Sequence, residues 1–173
     1  MAEKEADAAG DVEKKVMLVG FDDSDHSLYA LQWTLGHFFA GGSAGAALGH
    51  KYKLVIVYAK PIPSIAFGIG GPGAADVLPI VESNLNKIAA RAIVTARELC
   101  VANSVNDAEY EIGEGDARNV LVDAAERLHA EVLVVGSHGY GAVKRAVLGS
   151  VSDYCAHHVH CTLMIVKKPK LRH

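Results

Sequence analysis

Short apolar runs alternating with stretches of helical periodicity leave this chain few folds to adopt. Val16-Met17-Leu18-Val19, Leu54-Val55-Ile56-Val57, Glu131 to Val135 and Leu163-Met164-Ile165-Val166 are brief and largely apolar. Runs of that length, rich in β-branched residues, are expected of strands buried on both faces of a parallel sheet. A further run, Ala108 to Ile112, alternates apolar with charged residues, as at a sheet edge. Between the runs lie helical stripes: Leu28, Leu31, Leu35 and Phe38; then Val81, Leu85, Ile88, Ala92, Ala96 and Leu99; then Ala117, Val120, Leu121, Ala124 and Leu128. Each recurs on one face of a helix. Pro79 suits the first turn of the second of these helices, and Val151 to His158 reads as a fourth helix. Strands alternating with helices predict an α/β fold, an open parallel sheet with helices on both faces and right-handed crossovers.

At 173 residues the chain is long enough for one well-buried domain. Residues 1–13 carry almost nothing large and apolar and read as a disordered tail. Residues 14–168 form the domain, and 169–173 a basic tail. With 17 Lys and Arg against 20 Asp and Glu, the formal charge of −3 provides no general attraction to nucleic acid or anionic membrane, so any anion site is local. No apolar run approaches the ~20 residues a membrane-spanning helix needs, and membrane insertion is not expected. Cys100, Cys155 and Cys161 are odd in number and contain no C-x-x-C pair, which fits reduced thiols in the cytoplasm or the nucleus.

The candidate functional stretch follows the Glu131 to Val135 strand: Gly136-Ser137-His138-Gly139, a run through Tyr140 to Leu148, then Gly149-Ser150. Without a Cβ, Gly136 and Gly139 can take positive φ or press bare N–H groups against an anion. The N-terminal N–H groups and dipole of the following helix, with the Ser150 hydroxyl, supply a second half of a phosphate cradle. A plain loop with Ser150 as an N-cap is the simpler reading. A Walker loop is excluded, because no Gly-Lys-Ser/Thr occurs. The dinucleotide fingerprint is excluded too, because the spacing around Gly136, Gly139 and Gly141 is wrong and comes late in the chain.

Glycine, two residues, glycine, nine residues, glycine, serine: this spacing resembles the nucleotide-binding signature of the universal stress protein family. The resemblance runs from Lys15 to Lys167 and includes Val19-Gly20-Phe21-Asp22-Asp23-Ser24 and the Gly115-Asp116 step before a helix. The long insert after the second strand resembles the single-domain plant members. The resemblance implies five parallel strands in the order 3-2-1-4-5, with strands 1 and 4 adjacent so that Asp22 and Gly136 meet at one crevice. It implies an adenine nucleotide, ATP or AMP, as ligand, with magnesium an open question. The residues it assigns to the nucleotide are Gly20, Asp22 (near the ribose), Ala59 (main chain to adenine), Val135, Gly136, Gly139, Gly149 and Ser150. Lys144 and Arg145 are added as the only cations inside the glycine frame. It also implies a homodimer through Leu163 to Val166, a role in stress signalling, and an unidentified signalling protein as partner. A slow ATPase at the same site and a nucleotide-independent interaction module stay open as alternatives.

No catalytic residue is expected. Ser137 and His138 are adjacent on a loop read as extended, where neighbours point apart, and no nucleophile elbow surrounds them. Cys155, His157, His158, His160 and Cys161 crowd one helix–strand junction, unlike paired zinc ligands. The imidazoles there suit a helix C-terminus. Pro61 to Gly73, with Ile62, Ile65, Phe67 and Ile69, reads as a lid or a partner contact.

Overall fold

The computed structural model describes residues 13–40, 51–63, 71–139 and 148–170. Five parallel strands form one sheet in the order β3-β2-β1-β4-β5, as expected. They are β1 (Lys15–Gly20), β2 (Tyr52–Lys60), β3 (Glu109–Glu114), β4 (Ala130–Gly136) and β5 (Thr162–Val166). Among the described residues four helices alternate with them: α1 (Asp25–Thr34), α2 (Ala74–Ala102), α3 (Ala117–Arg127) and α4 (Ser150–His158). A wide π turn, Leu35–Phe39, extends α1. The tails at 1–12 and 171–173, the segments 41–50 and 64–70, and 140–147 with Lys144 and Arg145 lie outside the described residues.

The two-residue period of the strands divides the interior into two layers. Met17, Val19, Leu54, Ile56, Val132 and Val134 pack on one face against α1 and α2. Leu18, Val55, Val57, Leu133 and Val135 pack on the other, with Leu121, Ala124 and Cys155 from α3 and α4. The three inner strands are thus apolar on both faces. β3 is an edge strand with exposed Ile112 and three glutamates, which discourage pairing with another chain.

Three helix details differ from expectation. The second helix begins at Ala74, so Pro79 lies inside it; the missing N–H costs the bond that would reach the Ala75 carbonyl. Its buried stripe is Leu85, Ala89, Ala92, Ala96 and Cys100, and Ile88 is 51% exposed. Small side chains let α2 approach the sheet closely, and the seam follows the alanines instead of the bulkier isoleucine. The last helix is capped by Gly149, with φ −76° and ψ 163°, and Ser150 is its first helical residue.

Candidate functional site

At the carboxyl end of β1 the chain makes a turn held by its own side chains. The Phe21 N–H donates to the Val57 carbonyl at 3.0 Å, extending the pairing one residue past the strand. The Asp22 N–H then donates to Ser27 Oγ at 3.2 Å, and the Ser24 N–H donates to Asp22 Oδ1 at 3.0 Å. Asp23 occupies the left-handed region at φ 60°, a conformation aspartate tolerates better than most residues. Ser24 caps α1 by accepting the Ser27 N–H at 3.2 Å. The turn therefore uses one carboxylate oxygen of Asp22 and leaves Oδ2 facing Gly139.

The two ends of the glycine frame are tied together at the neighbouring strand. The Ser137 N–H donates to the Val166 carbonyl at 3.0 Å, holding the chain beside β5. The Ser137 carbonyl accepts the Gly149 N–H at 2.7 Å and the Ser152 hydroxyl at 3.0 Å. None of Gly136, Gly139 and Gly149 has positive φ; close approach is what requires glycine there. A Cβ on Gly136 would sit 2.8 Å from the His26 carbonyl carbon, and one on Gly139 would sit 2.6 Å from Asp22 Oδ2. At Gly149 it would lie 3.1 Å from His138 Cα and 3.2 Å from the Ser137 carbonyl oxygen. Gly136 thus seats α1 against β4, and the other two fold the loop onto itself and onto Asp22.

These ends enclose a cavity of about 380 Å³. Gly20, Val57, Ala59 and Val135 form an apolar floor, and Ala117 and Leu121 of α3 form a wall. Gly20 lets Leu121 reach the floor, since a Cβ there would stand 2.8 Å from Leu121 Cδ1. Asp22, His138 and Gly139 also line the cavity, with Gly149, Ser150 and Val151. The first-turn N–H groups of α4 have no intrahelical carbonyl, and with the helix dipole they favour an anion. A lining of this mixed character suits a ligand with both an apolar group and an anion.

Every described member of the predicted set lines this one cavity. Sequence reading missed the walls. Ala117 and Leu121 looked like core positions of α3, and the Gly115-Asp116 step was the only hint that the start of that helix faces a crevice. Ser27 and Ser152 line the cavity as well, yet as hydroxyls inside helices they carry no sequence signal.

Geometry bears on two further stretches of the chain. Ser137 and His138 do not point apart: the chain bends at Ser137 and brings its Oγ to 3.1 Å from His138 Nδ1. Ser137 is buried and is held by the sheet and the loop. The crowded histidines serve the end of α4, where His157 Nδ1–H donates to the Asp153 carbonyl and His158 Nδ1–H to that of Tyr154, both at 2.8 Å. Among the described residues no group of three His, Cys, Asp or Glu side chains is placed to hold a metal. Burial pushes the Cys155 thiol up to about 11. Beside the α3 wall, Asp116 caps the helix through the Arg118 N–H at 2.9 Å, and the Arg118 side chain holds its carboxyl below the usual range. No helix among the described residues is long and apolar enough to cross a membrane.

Comparison with known proteins gives the same outline. The model of the universal stress protein family matches residues 14–167. Universal stress protein PHOS34 of Arabidopsis thaliana is 27% identical over 159 residues, covering 87% of this chain, which spans 61% of that relative's length. Among solved structures, a family protein from Arabidopsis thaliana with AMP bound superposes with a TM-score of 0.62 at 18% identity, over 90% of this chain and 92% of that one. A universal stress protein in complex with cAMP superposes with a TM-score of 0.59 at 24% identity, over 90% and 98%. At such identities the two structures speak for the fold.

Proposed function

The chain belongs to the universal stress protein family, and from that premise we propose that it binds an adenine nucleotide, AMP or ATP, in the cavity at the ends of β1 and β4 and acts as a regulatory protein of the stress response. The observation that carries this reading is that one cavity is lined both by the apolar positions Gly20, Val57, Ala59 and Val135 and by Asp22, the glycine frame and the first turn of α4. Gly20, Ala59 and Val135 take the base, Asp22 Oδ2 accepts from ribose hydroxyls, and the backbone at Gly136, Gly139, Gly149 and Ser150 meets the phosphates. Lys144 and Arg145 are assigned to the outer phosphates. Magnesium, where ATP is bound, travels with the triphosphate. The AMP and cAMP held by the two solved relatives support a nucleotide of this class.

The same reading makes the protein a homodimer through β5, whose outer edge pairs with no described strand. Leu163, Met164 and Ile165 are only half-buried there. A signalling protein reads the nucleotide-bound state. Heat-denaturing the purified protein and analysing the released small molecules by mass spectrometry tests the ligand class. An adenine nucleotide in stoichiometric amount is expected; a different bound metabolite would refute the assignment.

A further inference from the structure

Among the described residues lining the cavity, Asp22 is the one side chain that carries negative charge, and His138 is the one able to carry positive charge. A phosphate entering here meets an acidic neighbour and neutral N–H groups. An imidazolium is the compensating charge the lining can produce. Behind His138 lies His26, with ring centroids 5.2 Å apart and planes tilted by 51°. His26 Nδ1 is the one buried side-chain polar atom without a hydrogen-bond partner among the described residues, an arrangement that ordinarily costs stability. Two imidazolium ions at that separation repel.

We propose that His138, as imidazolium, meets the phosphate nearest the cavity floor, beside the cations assigned to the outer phosphates, and that His26 is the neighbour that sets when His138 holds the proton. The inference rests on the nucleotide reading above. The charged groups around the pair are Asp22 across Gly139, Asp23 in the same turn, Asp25 beside His26, and Asp153 in the first turn of α4. Asp25 is held by Lys168 at 3.2 Å, and Asp22 lines the same cavity as His138. Phosphate beside His138 favours its protonated form, so binding draws a proton toward the ring and tightens as pH falls. The slope of affinity against pH is at most about tenfold per pH unit for one proton.

The test is calorimetric titration of AMP between about pH 6 and 8 into wild type, His138→Gln and His26→Gln. Buffers of different ionisation heat count the protons taken up. The second ionisation of a phosphate, near pH 6, affects all three proteins alike, so differences in slope report the protein. Wild type is expected to bind more tightly as pH falls and to take up more protons than His138→Gln. His138→Gln should bind more weakly and keep only the ligand's own slope, and His26→Gln should move the transition to higher pH. Equal slopes in wild type and His138→Gln, with AMP bound by both, would overturn this inference and leave the nucleotide reading standing. No binding by wild type at any pH would overturn both. Should His138→Gln fail to fold, the His138 ring resonance of wild type, titrated by NMR with and without AMP, decides: an upward shift on binding is expected, and an unchanged titration overturns the inference.

Discussion

Gly136 and Gly139 belong to one signature but need glycine for different reasons, and alanine at each position separates them. At Gly136 the new Cβ would stand 2.8 and 2.9 Å from the carbonyl carbon and oxygen of His26 and 3.1 Å from its Cβ. Those atoms belong to the first turn of α1, fixed by the Ser24 cap, so relief requires the helix to move. Overpacking of this kind costs about 1–3 kcal/mol, which for a chain of this size lowers Tm by roughly 2–12 °C. At Gly139 the near atom is Asp22 Oδ2 at 2.6 Å, with Cγ already at 3.7 Å, and a carboxylate can rotate. Rotation weakens the Ser24 N–H bond, worth about 1 kcal/mol. Alanine returns about 0.4–1 kcal/mol by restricting the unfolded chain, so the net change in stability is near zero. The same methyl group enters the cavity and displaces the oxygen assigned to the ribose, so AMP affinity should fall about tenfold or more, a loss of about 1.4 kcal/mol. Thermal unfolding and AMP titration of both variants make the comparison. A Gly136→Ala protein as stable as wild type, or a Gly139→Ala protein that melts lower than Gly136→Ala, would refute this division of roles.

Asp116→Ala should lose about 0.5–2 kcal/mol with the N-cap of α3, measured by urea denaturation. Because the Asp116 carboxyl titrates below its ordinary value in the folded chain, the stability it supplies is present above the unfolded-state pKa and is lost as pH falls through the lower folded-state pKa. The difference between wild type and variant should therefore vanish in acid, not in base. With its thiol raised to about 11 by burial, Cys155 should resist alkylation in the native protein at about pH 8, where roughly one thiol in a thousand is ionised, and should react on unfolding; rapid native labelling at Cys155, read by peptide mass spectrometry, would contradict its placement. Sedimentation equilibrium should return twice the 18.3 kDa chain mass if β5 joins two copies, and a monomer mass would remove that part of the proposal.

Much of the fold could be read because its code is local. The run Val132 to Val135 is apolar at every position because both faces of β4 are covered, and Ala108 to Ile112 alternates because β3 lies at the edge. Strand order is a long-range property that periodicity does not encode; it came from resemblance to a family and agrees with the structure. The errors arose where tertiary packing overrode local preference. Pro79 marks a favoured helix start, but the turn preceding it is helical as well. Ile88 fits the periodic stripe of α2, yet the sheet admits Ala89 in its place. At the site, the glycine spacing marked the frame, where close approach leaves a mark at each position, while Gly20, Ala59 and Val135 of the floor came from the family resemblance. The α3 wall and the Ser27 and Ser152 hydroxyls left none, because a cavity lined by Leu121 and a core packed by it look alike in sequence. The meeting of Ser137 and His138 depends on one bend in the loop, which residue types alone do not specify.

The central claim is that the cavity between the ends of β1 and β4 holds an adenine nucleotide through the glycine frame. Titrating AMP and ATP, side by side, into wild type and Gly139→Val tests it most directly. Saturable one-to-one binding to wild type, lost in a variant that melts as a folded protein, is the predicted result. Equal binding by the two proteins, or no binding of either nucleotide to wild type, would contradict it.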